Sequence, residues 1–169
     1  MVAQARDPDV ERMVEALGLK PHPEGGFFRE TFRSSRPLGP APDGPHRDAS
    51  TAIYFLLPAG EFSAFHRIRG SDELWHHYGG DPVEIHTIAA SGDHRVTILG
   101  PDVHQGEQPQ VLVPADTMQA AIARGSRFAL CGCTVTPGFD FADFEMPARD
   151  ELVARFPRHE QVIRRLTRR

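Results

Sequence analysis

The sequence predicts an all-β protein, a sandwich or barrel of short strands, with one helix before the strands and two short helices after them. The first observation is a succession of short apolar or alternating runs separated by Gly, Pro and Asp. Many short strands at close spacing are typical of an antiparallel sandwich or barrel and not of a parallel α/β sheet. The second observation is helical spacing of apolar residues at both ends of the chain.

The first element is a helix over residues 7–19. Asp7 can cap it, Pro8 suits its first turn and Gly18 suits its end. Its apolar residues recur at helical spacing and form one stripe: Val10, Met13, Val14 and Leu17.

The strands follow, each bounded by residues that favour turns. The predicted strands are Gly26–Phe32, Thr51–Leu57, Phe62–Ile68, Glu73–Tyr78, Val83–Ile88, His94–Leu99, Gln110–Val113, Met118–Ala123 and Phe128–Val135. The Pro- and Gly-rich segment 36–48 interrupts them, and we interpret it either as a surface insertion or as a lid over the mouth of the barrel.

The tail from Ala148 carries apolar residues at helical spacing, and Pro157 divides it into two short helices. We expect these helices to pack on the outside of the barrel. The chain is thus predicted to be a single domain over 1–169, with an N-terminal helix in 1–20, a barrel in 21–147 and C-terminal helices in 148–169.

Composition narrows the classes of partner. The formal net charge is −4, which gives no support to nucleic-acid binding. No apolar run is long enough to span a membrane and no signal-peptide core is present, so we expect a cytoplasmic protein. The two cysteines, Cys131 and Cys133, share one strand face and are predicted to be buried apolar residues.

The stretch from Gly60 to Gly80 is the most informative. It has five residues between Gly60 and His66, one before Ile68, four before Glu73 and six before Gly80. This spacing resembles the first consensus motif of the cupin superfamily, except that the consensus has a second histidine where this chain has Ile68. The order Pro114, Asp116, Gln119 resembles the second motif, with Asp in place of Gly and Gln in place of the ligand histidine.

Two interpretations of these residues stay open. In one, His66, Glu73 and Gln119 hold a divalent metal ion, although Gln is a weak ligand for a transition metal. In the other, no metal is required, and His66 and Glu73 form a hydrogen-bonded pair that acts as general acid and base. His76, on the same predicted strand as Glu73, is a further catalytic candidate.

Other polar side chains are candidates for ligand binding. Arg29 can hold a carboxylate or phosphate, or form a surface ion pair with Glu30 or Glu24. Asp140 can accept a hydrogen bond in the pocket or cap a turn. The remaining ligand-binding candidates are Thr31, Tyr54, His77 and Gln119.

The segments His22–Thr31 (HPEGGFFRET) and Gly132–Met146 (GCTVTPGFDFADFEM) add a closer resemblance. With the first motif they resemble the cupin 5 family, catalogued as domain of unknown function 985. The resemblance implies a double-stranded β-helix, or jelly-roll barrel, similar in fold to the RmlC-like sugar-nucleotide epimerases, and a homodimer. It brings no settled reaction.

We therefore consider three functions. The first is metal-free acid–base chemistry of the epimerase or isomerase type on a nucleotide-like or sugar-nucleotide-like metabolite. The second is a metal-dependent dioxygenase or isomerase, and the third is a protein that binds a small molecule without transforming it.

Overall fold

The computed structural model describes residues 7–38 and 46–168. Its helices are α1 (Pro8–Leu17), α2 (Arg149–Arg155) and α3 (Glu160–Arg165). Its strands are β1 (Lys20–Pro21), β2 (Phe27–Arg33), β3 (Thr51–Pro58), β4 (Phe62–Ile68), β5 (Asp72–Gly80), β6 (Val83–Ile88), β7 (His94–Leu99), β8 (Gln110–Val113), β9 (Met118–Ala123), β10 (Phe128–Thr136) and β11 (Phe144–Glu145).

The strands form two antiparallel sheets. One sheet has six strands in the order β1-β2-β3-β10-β5-β8, and the other has five in the order β11-β4-β9-β6-β7. Neighbouring strands in each sheet are mostly distant in sequence, as in a jelly roll. The predicted all-β class and cupin-type jelly roll are confirmed.

The main hydrophobic core lies between the sheets. It is built from inward side chains of both sheets, including Phe55, Trp75, Ile85 and Leu99, all 1% exposed or less. Strand alternation produces this core, because every second residue of these strands faces the opposite sheet.

Two smaller cores fix the helices on the outside. Val10 of α1 packs with Phe27, Leu56 and Phe128 on the outer face of the six-stranded sheet. The C-terminal helices bury Leu152 and Ile163 against the five-stranded sheet, as expected. Each outer core lets a sheet keep a second apolar face without exposing it to water.

The helix ends follow the predicted signals. The Asp7 side chain accepts a hydrogen bond from the Asp9 backbone N–H (2.8 Å), and Gly18 ends α1 in the left-handed region at φ 60°. A 3₁₀ turn at Pro157–His159 separates α2 from α3. In the described parts of the chain, no helix is long and apolar enough to cross a membrane.

The predicted strand ranges agree with the structure to within two residues at either end. The strands β1 and β11 were missed, because a two-residue strand is too short to show alternation. Residues 39–45 of the predicted lid lie outside the described residues.

Candidate functional site

A cavity of about 290 Å³ opens at one end of the space between the two sheets. Its volume is at the lower end of the range usual for small-molecule pockets. Its lining comes from β2, β3, β4, β5, β10 and the segments that precede β2 and follow β10: His22, Glu24, Phe28, Glu30, Arg33, Thr51, Ile53, His66, Ile68, Glu73, Cys133, Val135, Phe139, Asp140, Phe141 and Phe144.

Glu24 and His66 form a dyad in the wall of this cavity. His66 Nε2 lies 3.2 Å from Glu24 Oε2. On the other side of its ring, His66 Nδ1 donates to the backbone carbonyl of Ala64 (2.8 Å), which fixes the tautomer. Ser63 Oγ donates to the second carboxyl oxygen of Glu24 (3.0 Å).

Burial governs the protonation of this dyad. Removal from water raises the pKa of Glu24 from 4.5 to about 8, only partly opposed by the Ser63 hydrogen bond. Burial also lowers the pKa of His66, against the raising effect of the Glu73 charge. At neutral pH, Glu24 Oε2 and His66 Nε2 therefore share one proton across 3.2 Å.

His22 adds a second imidazole next to the dyad. Its Nδ1 accepts a hydrogen bond from the Glu24 backbone N–H (3.3 Å), so its proton is on Nε2. Burial lowers the pKa of His22 to about 3. The 3.5 Å approach of His22 Nδ1 to the Glu24 carboxyl is therefore a contact between neutral groups, not an ion pair.

Glu73 ends a buried hydrogen-bond chain. Trp75 Nε1 donates to Gln119 Oε1 (3.0 Å), and Gln119 Nε2 donates to Glu73. The Cys133 thiol also donates a hydrogen bond to Glu73. Burial is the main cause of the raised pKa of Glu73. The predicted hydrogen bond between His66 and Glu73 is thus corrected, because the acidic group in contact with His66 is Glu24.

The donors at the four cupin metal positions do not fit a metal ion in this arrangement. The Gln119 oxygen faces Trp75, and its amide nitrogen, which cannot ligate, faces Glu73. Ile68 offers no donor. Within residues 7–38 and 46–168, no group of three or more His, Cys, Asp and Glu side chains is placed to hold a metal. A divalent cofactor stays a prediction.

Aromatic rings close the outer part of the cavity. Phe141 stacks on His22 at 6.3 Å between ring centroids, and Phe144 lies 5.3 Å from His66. Phe139 packs edge-on against Phe141. These rings surround the polar dyad with apolar surface, which strengthens electrostatic interactions inside the cavity.

Three charged side chains of the lining stand at the rim: Glu30, Arg33 and Asp140. Arg33 binds Glu30 (2.7 Å) and Asp48 (3.0 Å). Asp140 accepts from the Ala142 backbone N–H (2.8 Å), so it caps a turn, and it also lines the cavity. Of the two alternatives for Asp140, the structure shows the turn cap: no histidine among the described residues donates to its carboxyl group.

The structure brings His66, Glu73 and Asp140 to the cavity and places Gln119 directly behind Glu73. The other predicted site residues lie outside the cavity. Arg29, Tyr54 and His76 alternate to the outer face of the six-stranded sheet, and Thr31 lies at the bulge of β2. His77 shares the inner face of β5 with Trp75, but it lines a surface depression and not the cavity.

The contacts of these five residues are local. His76 Nε2 donates to Thr134 Oγ1 (3.1 Å). Arg29 lies over the Tyr54 ring at 5.6 Å and makes no pair with Glu24, which is 6% exposed. Thr31 Oγ1 donates to the Ala52 carbonyl (3.2 Å), and His77 lines a shallow surface depression with His76.

Sequence reasoning missed His22 and Glu24 as site residues. The segment that contains them carries the family resemblance, but only its Arg29 and Thr31 were predicted to bind a ligand. The Gly25–Gly26 pair was the available signal, because both glycines take positive φ (119° and 68°) and turn the backbone so that Glu24 enters the cavity.

Two solved structures share this architecture, and one further protein is similar in sequence. A hypothetical protein from Leishmania major is 32% identical, with a TM-score of 0.88 over 94% of this chain and 98% of that one. Protein SO0799 from Shewanella oneidensis is 36% identical, with a TM-score of 0.85 over 97% and 99%. The uncharacterized protein YML079W of Saccharomyces cerevisiae is 27% identical over 158 residues, 85% of this chain and 78% of its own length.

The family model for Cupin_5, described as cupin superfamily (DUF985), matches residues 11–147. That range contains both glycines after Glu24, both cupin motifs and every residue that lines the cavity. The chain therefore belongs to the Cupin_5 family of the cupin superfamily.

Proposed function

We propose that the cavity binds a small, uncharged, hydroxyl- or carbonyl-bearing metabolite of sugar-like chemistry, and that Glu24 and His66 transfer a proton to and from it. The reaction class is metal-free epimerisation or isomerisation. The observation that carries the proposal is the buried Glu24–His66 dyad, which holds one proton at the wall of the cavity.

The dyad suits acid–base chemistry near neutral pH. A general acid or base works best when its pKa is near the working pH, and burial raises the pKa of Glu24 to about 8. The Ala64 carbonyl holds the His66 ring through Nδ1, so that Nε2 is the nitrogen that exchanges the proton. Removal of a proton from the carbon next to a carbonyl is the step common to both reactions.

Charge argues for an uncharged ligand. Apart from histidine, the cavity lining has one cationic side chain, Arg33, and two carboxylates already bind it. Burial lowers the pKa of His22 and His66, so both rings are neutral at pH 7. A diphosphate would therefore meet no unpaired cation among the described residues of the lining, which favours a sugar-like group over the nucleotide-like ligand considered from the sequence.

Exchange of solvent deuterium tests the proposal. A panel of ketoses and keto-deoxy sugars is incubated with the protein in D₂O, and loss of the signal of the exchanging C–H is followed by NMR. We expect Glu24→Gln to lower exchange by at least about a hundredfold, because the amide keeps the hydrogen bonds but cannot ionise. His76→Gln, on the outer sheet face, is the matched control.

Two outcomes would count against it. Exchange that survives in Glu24→Gln would remove the dyad from the chemistry. Binding without exchange, with the ligand recovered unchanged, would favour the third hypothesis, a non-enzymatic binding protein.

A further inference from the structure

A second cleft, of about 610 Å³, lies on the opposite side of β4 from the cavity. Its walls are β4, the segment that leads into α2, α2 itself and the end of the chain. The residues that line it are Ala64, Phe65, Met146, Pro147, Ala148, Arg149, Asp150, Arg164, Thr167 and Arg168.

Arg149 is fixed in this cleft by neutral groups. Its Nε donates to Thr167 Oγ1 (2.9 Å), and its Nη2 donates to the Thr167 carbonyl (2.6 Å). A guanidinium has five N–H donors, so Nη1 retains donors that no described residue accepts. The Thr167 contacts hold the planar group in one orientation.

Arg168 is an exposed residue whose guanidinium is held by two backbone carbonyls and an aromatic ring. Its Nη2 donates to the Glu24 carbonyl (3.2 Å) and to the Phe62 carbonyl (3.4 Å), and its guanidinium lies over the Phe62 ring at 5.0 Å. Its Nε and Nη1 donors have no acceptor among the residues that the structure describes.

The charge of these two arginines is not compensated within the described chain. Arg164, the third arginine of the cleft, binds Glu160 (2.7 Å) and lies 4.0 Å from Asp150. Among the described residues, no carboxylate lies within ion-pair distance of Arg149 or Arg168. The cleft therefore contains two guanidinium groups that are held by hydrogen bonds and have no described carboxylate partner.

We propose that this cleft binds a phosphate group, either free or carried by a small metabolite. Guanidinium groups present parallel N–H donors that match the spacing of phosphate oxygens, and two of them neutralise a dianion. The site is separate from the cavity and does not depend on the chemistry of Glu24 and His66. Arg168 nevertheless joins the two, because the carbonyl it holds belongs to Glu24.

Inorganic phosphate is the probe. The thermal midpoint of the whole chain is measured against phosphate concentration, with potassium chloride at matched ionic strength as the reference. We expect saturable stabilisation by phosphate beyond that of chloride. Arg149→Gln and Arg168→Gln should each raise the apparent Kd at least about tenfold, whereas Arg95→Gln, an exposed arginine of β7, should leave it unchanged.

Glycerol 3-phosphate, titrated in parallel, distinguishes a free phosphate from one carried by a metabolite, according to which binds more tightly. Arg149→Lys keeps the charge but loses the paired N–H donors of the guanidinium group, and it should weaken binding less than Arg149→Gln. If phosphate acts only as chloride does, or if the Arg149 and Arg168 variants bind it as the native chain does, the proposal is overturned.

Discussion

At the scale of single residues, Glu24 makes stability depend on pH in the direction opposite to an ion-paired carboxylate. Its pKa is about 8 in the folded state against an ordinary value of 4.5, so the folded state holds the proton more tightly than the unfolded state does. The stability that this provides is complete below pH 4.5 and is lost as pH rises to about 8. His22, whose pKa burial lowers to about 3, acts in the opposite sense at acid pH.

The variant Glu24→Gln isolates this effect, since an amide mimics the protonated carboxyl. We expect the variant to gain stability relative to the native chain as pH rises, by up to about 1.4 kcal/mol per pH unit inside the window. Urea unfolding at several pH values between the two limits measures the difference. Glu15→Gln, on the exposed side of α1, is the control, and an equal slope for both variants would contradict the assignment.

Gln119 connects two buried groups. Gln119→Leu would leave the Trp75 N–H without an acceptor and would remove a donor from Glu73. We expect a loss of about 2–4 kcal/mol in the free energy of unfolding, because each unsatisfied buried polar group costs about 1–3 kcal/mol. Urea unfolding measures it. A loss no larger than that of Val103→Ala, at an exposed position, would show that the chain of hydrogen bonds adds little.

At the scale of elements, the turn before β2 is as important to the site as the strands. A Cβ on Gly25 would collide with the Phe62 carbonyl and with Arg168, whereas a Cβ on Gly60 would meet no atom within 4 Å. Both glycines have positive φ, 119° and 79°. The turn that carries Glu24 is thus closed by backbone contact as well as by conformation.

We expect Gly25→Ala to destabilise the protein clearly more than Gly60→Ala. The second variant has only the cost of a left-handed residue, about 1–2 kcal/mol, while the first must also displace Phe62 or Arg168. Thermal unfolding of both variants gives the comparison. Equal losses would mean that the Gly25 turn adapts without strain.

The sequence could predict the secondary-structure elements better than the contacts between residues distant in the chain. Strand alternation and turn residues located β2 to β10, because these signals are local. Asp116, which stands at the glycine position of the second motif, takes a φ of 63°, a conformation that Asp tolerates. Contact between Glu24 and His66 joins residues 42 positions apart through a turn, and no local pattern reports such a contact. Arg29 and His76 were assigned to the pocket because the sequence does not tell which sheet face is inside.

At the scale of the whole molecule, the outer face of the six-stranded sheet carries exposed apolar residues. Phe32 and Leu112 are 54% and 57% exposed, and the register places both in one row across the sheet with Ala52, Thr134 and Leu74. Tyr78, 55% exposed, lies over Gly132 on the same face. Such a row suits contact with another protein surface.

The homodimer implied by the cupin 5 resemblance is therefore expected to use this face. Sedimentation should give twice the chain mass of 18.8 kDa, and Leu112→Arg should shift the mass toward that of one chain. Val103→Arg, at an equally exposed position outside the strands, is the control. A native chain that sediments as a monomer at all concentrations would contradict the expectation.

The hydrogen-bond chain behind the cavity has one more consequence. Trp75 is the single tryptophan of the chain, is 1% exposed, and connects through Gln119 to the carboxyl group of Glu73 in the cavity wall. Any ligand that changes the charge or position of Glu73 also changes the field at the indole N–H. The emission of this one fluorophore is therefore a built-in optical reporter of cavity occupancy, with no label to attach and no background from a second indole.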